Sequence, residues 1–298
     1  MRLITLPRVA LLSTVLASTA CSINVDNHGH IVREQKRYVV EGVADLNLTT
    51  FDGAIEIRGW DRNEVTVEIE KRAQDKDATE KIQVIAEQKG STITIDVRSS
   101  GGSTYIGIGA FTSPSARLIV NAPRRVNVNA RSGDGSIVVD RLDGRLELKT
   151  SDGTVRATET AGELIVESGD GSIQIEDVVG RVEVRTDDGT VRISGTPSSL
   201  RARSGDGSIV LRIRRGAVMS DDWVVTTSDG SIVAELPEGF SAMIDAEPGS
   251  GDRARTDLEL VDVVGGTSDQ RTLRGKLGLG GKTLTLRSGD GSIRLTNY

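Results

Sequence analysis

The chain has 298 residues, enough for one large β domain or two smaller ones, and its 3% aromatic content rules out a core built on large rings. Glycine is abundant at 34 residues and proline scarce at 6, while Val, Ile, Leu and Thr fill the strand-like segments, so β-structure is expected. A net charge of −6 excludes a surface built for nucleic-acid phosphates, which needs clustered Lys and Arg.

Residues 1–20 read as a signal peptide. Arg2 and Arg8 supply a positive start, Val9 to Ala17 a short apolar run, and Ser18-Thr19-Ala20 small residues leading to Cys21. The apolar run is too short to span a bilayer. The segment resembles a bacterial lipobox, in which the cysteine is diacylated and becomes the new N-terminus; Ser18 stands where that pattern usually has leucine. The resemblance implies lipidation at Cys21, the chain's single cysteine, which leaves no intramolecular disulfide. The alternative is an ordinary signal peptide cleaved nearby, with a free thiol left behind. Two or three acyl chains bury methylenes at roughly 0.8 kcal/mol each, enough for stable anchoring. Ser22 is not the Asp that, by the same resemblance, often retains lipoproteins in an inner membrane. The expected location is therefore the cell envelope, and the outer membrane or periplasm if the cell is Gram-negative.

Residues 21–36 are polar and read as a flexible tether. His28, His30 and Asp26 within it are metal-ligand types, but a tether lacks the fixed geometry a metal site requires.

Residues 37–125 read as a less regular β-rich part that caps a repeat. Ile55-Glu56-Ile57 and Val65-Thr66-Val67 alternate as strands, and the charged stretch 71–81 suits a short helical turn. Ile82-Gln83-Val84 and Ile93-Thr94-Ile95 flank the Lys89-Gly90 turn as a hairpin, and 99–109 is a Gly/Ser-rich loop.

From residue 126 to 298 the sequence repeats. Asp134, Asp152, Asp170, Asp188 and Asp206 fall 18 residues apart, each before a glycine, with insertions near 213–222 and 249–282. Apolar columns accompany them: Ile137, Val155, Ile173, Val191 and Ile209 form one, and Leu146, Leu164, Val182 and Leu200 another. The pattern predicts an all-β chain, a right-handed parallel β-helix or β-solenoid with 18-residue rungs. An antiparallel β-meander is the alternative, because Asp-Gly also suits hairpin turns. The outward column Arg145, Glu163, Arg181 alternates in sign, as direct stacking would favour.

Stacked aspartates at rung spacing should repel by about 0.9 kcal/mol per neighbouring pair even in water. Two devices could offset this: each carboxylate accepting N–H bonds inside its own turn, as an Asx-turn, or Ca²⁺ held between rungs. The first is expected. The five aspartates remain the only cation candidates in the repeat, and no other cofactor is implied.

The order Phe51-Asp52-Gly53, Gly59-Trp60-Asp61, Val65-Thr66-Val67, Leu118-Ile119-Val120 and then the Gly-Asp-Gly-Ser-Ile turns resembles a bacterial adhesin-like domain family of unknown function. The resemblance covers roughly residues 45–298 and implies a β-solenoid exposed at the envelope, without catalytic residues to carry over. The leading reading is a non-enzymatic, adhesin-like or sensor-like envelope lipoprotein with a membrane anchor and a protein or envelope-surface partner. A structural spacer is the alternative, and a carbohydrate-active β-helix enzyme the third reading. Against the third, the acids belong to repeated turns, both histidines lie in the tether, and Trp60 and Trp223 read as packing residues. The last repeat, 288–295, would leave an open strand edge for a partner to extend unless the 249–282 insertion covers it.

Overall fold

The computed structural model describes residues 20–26, 29–100, 113–249, 252–264 and 271–298; the signal segment up to residue 19, and His28, lie outside them. The first part of the chain forms β1 (Ala20–Asp26), β2 (Gly29–Val39), β3 (Ala44–Thr50), β4 (Ile55–Trp60), β5 (Glu64–Ala73), helix α1 (Lys76–Glu80), β6 (Ile82–Lys89), β7 (Thr92–Ser99) and β8 (Ser115–Pro123). The repeat continues with β9 (Val126–Ser132), β10 (Ile137–Asp140), β11 (Asp143–Thr150), β12 (Val155–Thr158), β13 (Ala161–Ser168), β14 (Ile173–Thr186), β15 (Val191–Ser204) and β16 (Ile209–Ile213). Last come β17 (Trp223–Thr227), β18 (Ile232–Leu236), β19 (Ala242–Glu247), β20 (Ala254–Thr256), β21 (Leu260–Val264), β22 (Leu273–Leu277), β23 (Thr283–Ser288) and β24 (Ile293–Asn297). The described chain is thus all-β, with one helix of 5 residues placed in the charged stretch where a helical turn is expected.

Two parallel ladders organise one large sheet. The first runs β7–β3–β9–β11–β13–β14–β15–β17–β23–β19. The second runs β8–β4–β10–β12–β14–β15–β16–β18–β24–β20. From β9 to β14 the register pairs residues 18 apart, as Ile137 with Val155, Val155 with Ile173 and Leu146 with Leu164; it slips to 17 at Val178–Gly195 and widens to 23 at Ile209–Ile232 across the insertion. Every pairing of β9 through β18 is parallel, so the antiparallel meander does not describe this part of the chain. Both named apolar columns are buried, and they merge with those of residues 38–122 into one core. Trp223 is fully enclosed and donates its indole N–H to the Ser198 carbonyl at 3.3 Å.

The rungs are not equivalent. In stacking order the last first-ladder residue before each Asp-Gly turn is Thr50, Ser132, Thr150, Ser168, Thr186, Ser204, Thr227, Ser288. Thr and Ser alternate strictly, and a glycine follows each Ser (Gly133, Gly169, Gly205, Gly289) but none of the Thr residues. A side chain at Gly169 would collide with the carbonyl of Ser151 on the neighbouring rung. The structural unit is therefore a pair of rungs.

Both chain ends of the ladders are buried between other rungs. β3/β4, the first rung in the chain, lies between β7/β8 and β9/β10; β23/β24, the last, lies between β17/β18 and β19/β20. Antiparallel strands then close the ends: β6 on β7, β5 and β2 on β8, β22 and β21 on β19. Three expectations change accordingly. Residues 29–36, assigned to the tether, belong to β2, which pairs over ten residues with β5. The capping part is continuous with the repeat, since Ile55 stacks on Ile137. And β24 offers no open edge, because β20 from the insertion occupies it, pairing Ala254 with Ile293.

Candidate functional site

The predicted acidic column exists and is longer than the repeat alone implies. Stacking of the glycines that follow adds Asp52, Asp229 and Asp290 to the five predicted aspartates, giving eight along one edge. Asp134, Asp152, Asp170, Asp188 and Asp206 are all exposed. Partial desolvation, then the neighbouring charges of Asp206, Asp170 and Asp187, push the Asp188 carboxyl above its ordinary range. Burial and the Asp134 charge do the same for Asp52.

The expected Asx-turns are not what closes most of these turns; Asp52, which accepts the Gly53 N–H, is an exception. The buried hydroxyls do so instead. Gly135 donates its N–H to Ser132 Oγ at 3.1 Å, Gly153 to Thr150 Oγ1 at 3.2 Å, Gly207 to Ser204 Oγ at 3.0 Å and Gly291 to Ser288 Oγ at 2.8 Å. Each hydroxyl in turn donates to a glycine carbonyl one rung away: Ser132 to Gly53 at 2.9 Å, Ser204 to Gly189 at 3.1 Å, Ser288 to Gly230 at 2.8 Å. The hydroxyl satisfies backbone groups that water cannot reach, and the carboxylate is left to point outward. Sequence reasoning missed this because it looked to the charged residue of the turn; the signal was the Ser/Thr two places earlier. Among the described residues no three His, Cys, Asp or Glu side chains are grouped closely enough to hold a metal ion.

Cys21 lies in β1, opposite Glu34 of β2, and its side chain is outside the described residues. Among the described residues no helix is long and apolar enough to cross a membrane.

A second surface lies at the turns joining β2 to β3, β4 to β5 and β8 to β9. They enclose a cleft of about 420 Å³ lined by Val43, Trp60, Asp61, Arg62, Pro123, Arg124 and Arg125 among others. Trp60 is half-buried and in register with Pro123, and its indole N–H donates to the Glu64 carbonyl at 2.9 Å. The Arg62 guanidinium lies 4.9 Å from the Trp60 ring centroid, and Arg124 Nε bonds Asp61 Oδ1 at 2.8 Å. The preceding residue must be glycine, because a Cβ on Gly59 would meet the Arg141 carbonyl. The chain expected to bury Trp60 by packing thus leaves part of it at a basic rim.

Residues 43–296 match the family described as Toastrack DUF4097, and the chain belongs to that family. Among curated proteins none matches. Solved structures resemble it distantly. A candidate adhesin from Bacteroides fragilis is 14% identical, with 89% of this chain and 97% of that chain covered and a TM-score of 0.42. A candidate lipid binding protein from Parabacteroides distasonis is 14% identical, with 89% and 96% covered and a TM-score of 0.39. A candidate adhesin from Parabacteroides merdae is 13% identical, with 88% and 95% covered and a TM-score of 0.34. Superpositions this loose carry no weight beyond the family match.

Proposed function

We propose that the protein is a non-enzymatic, adhesin-like interaction module of the cell envelope, held to a membrane through diacylated Cys21. The observation that carries this reading is the constant outward register: the same side-chain types return on rung after rung along a rigid edge. A repeated display of weak contacts suits a repetitive envelope-surface partner, because linked contacts gain from effective concentration. The parallel ladders, in this reading, wind as a right-handed β-solenoid of 18-residue rungs, the hand that parallel crossovers overwhelmingly take. The acidic column is a solvated face, most of its turns being closed by a buried hydroxyl.

The spacer reading has one observation in its favour. Outward charges satisfy each other between rungs: Arg145 bonds Glu163 at 2.6 Å and Lys149 bonds Glu167 at 2.7 Å, leaving less charge for a partner. Pull-down from envelope extract with the intact protein separates the two. Saturable capture of a surface component supports the module; a mature chain that captures nothing above a bare-bead control favours the spacer. The anchor has its own test: labelled palmitate should enter the wild-type chain and not Cys21→Ser, and labelling of the variant would refute it.

A further inference from the structure

We infer that the Trp60 cleft binds an acidic saccharide, a pyranose ring bearing a carboxylate, as the point at which the module grips its partner; this rests on the interaction-module reading above. The argument starts from charge. The cleft lining carries Arg62, Arg124 and Arg125; Glu64 pairs with Arg62 at 3.5 Å and Asp61 with Arg124 at 2.8 Å, and among the described residues no acid pairs with Arg125, so the cleft keeps a net positive charge on a chain whose net charge is −6. Such a local reversal of sign selects an anion and steers it to this end of the molecule.

Shape narrows the class. The floor is flat and apolar: Trp60 lies beside Pro123 by strand register, with Val43 exposed alongside. The Arg62 guanidinium lies over the indole, 4.9 Å from its centroid, so a ligand on that face meets a planar cation backed by the ring. A sugar ring offers a C–H face to such a platform and a carboxylate to the arginines, whose planar donor fork matches it in a bidentate manner. Inorganic anions would use the fork and leave the platform empty.

The cleft is also held in place. Arg124 donates its backbone N–H to the Trp60 carbonyl at 3.2 Å and Val40 to the Asn63 carbonyl at 3.3 Å, so the three turns are tied to one another across ladder strands. A site fixed this way loses little order on binding.

The chain itself provides the reporter. It has two tryptophans, and Trp223 is fully buried, so a ligand-dependent change in indole emission reports on Trp60. The intact protein is titrated with a galacturonic acid hexamer, with maltohexaose and with sodium sulfate. A saturable change with the acidic hexamer alone is expected, weakened about tenfold in Arg124→Ala/Arg125→Ala, whose unliganded emission should match wild type. Calorimetry on Trp60→Leu should show a comparable loss. An equal response to maltohexaose or to sulfate, or an unaltered affinity in the double arginine variant, would overturn the inference. No response at all in a chain that still captures envelope material would remove this site while leaving the interaction module standing.

Discussion

At Thr150 one buried hydroxyl accepts the Gly153 N–H at 3.2 Å and shares its proton between the carbonyls of Gly133 and Gly135, each at 2.9 Å. Thr150→Val keeps the shape and orphans a donor and an acceptor, so it should destabilise by about 1–3 kcal/mol in chemical denaturation. Asp152→Asn two residues on changes an exposed carboxylate and should stay within about 0.5 kcal/mol. The reverse order would mean that the carboxylate closes the turn after all. The acidic column adds a pH signature. Asp188 has a raised folded pKa, so the native state binds more protons there than the unfolded chain just above the ordinary Asp range. Its contribution to stability therefore grows as pH falls from neutral into that window. Asp245, lowered despite desolvation because Arg287 and Arg274 hold its carboxylate, stabilises above the ordinary Asp range and loses that contribution as pH falls through its folded pKa. Asp188→Asn should abolish the first component in urea melts repeated between pH 4 and 7; an unchanged pH profile would contradict the charge account. Calcium offers a parallel check, since carboxylates with no role in the turns predict an unchanged thermal midpoint in millimolar Ca²⁺. A rise of several degrees would reveal a structural ion.

Strands were legible in the sequence wherever alternation was long. Ile137-Val138-Val139 and Leu146-Glu147-Leu148 announce their buried faces, and both columns are buried as read. Two kinds of element were not legible. Residues 29–36 are mostly polar, and they form the first part of β2 because its backbone pairs with β5, a long-range partner that local composition does not reveal. The insertion 249–282 is Gly-rich and departs from the repeat, and its β20 and β22 are fixed by the edges they cover. The order of stacking could have been read, because the Thr/Ser alternation places the Ser288 rung next to the Thr227 rung. The buried position of β24 changes what a truncation should do. Removing residues 288–298 would expose the facing edges of β18 and β20, so the variant should lose cooperative unfolding at that end of the sheet and gain hydrogen exchange over 232–236. A truncated chain with native exchange there would show that β24 is dispensable.

For the whole molecule, the family and the all-β class could be read from motif order, whereas the basic cleft could not: Trp60 is far in sequence from Pro123 and Arg125 and meets them only because β4 pairs with β8. Anchoring at Cys21 would set the stacked ladders beyond the lipid, and in-register stacking is what stiffens such an array. Everything proposed for the surface depends on that stacking. It is tested most directly by engineered disulfides in a Cys21→Ser background. Arg156 and Gln174 are neighbours in register, while Arg156 and Glu163 lie on different ladders. A disulfide forms only when Cα atoms come within about 7 Å. Arg156→Cys/Gln174→Cys should therefore oxidise within one chain and Arg156→Cys/Glu163→Cys should remain as free thiols. Oxidation of the second pair and not the first would mean that adjacent segments fold as hairpins, and the stacked ladder would be wrong.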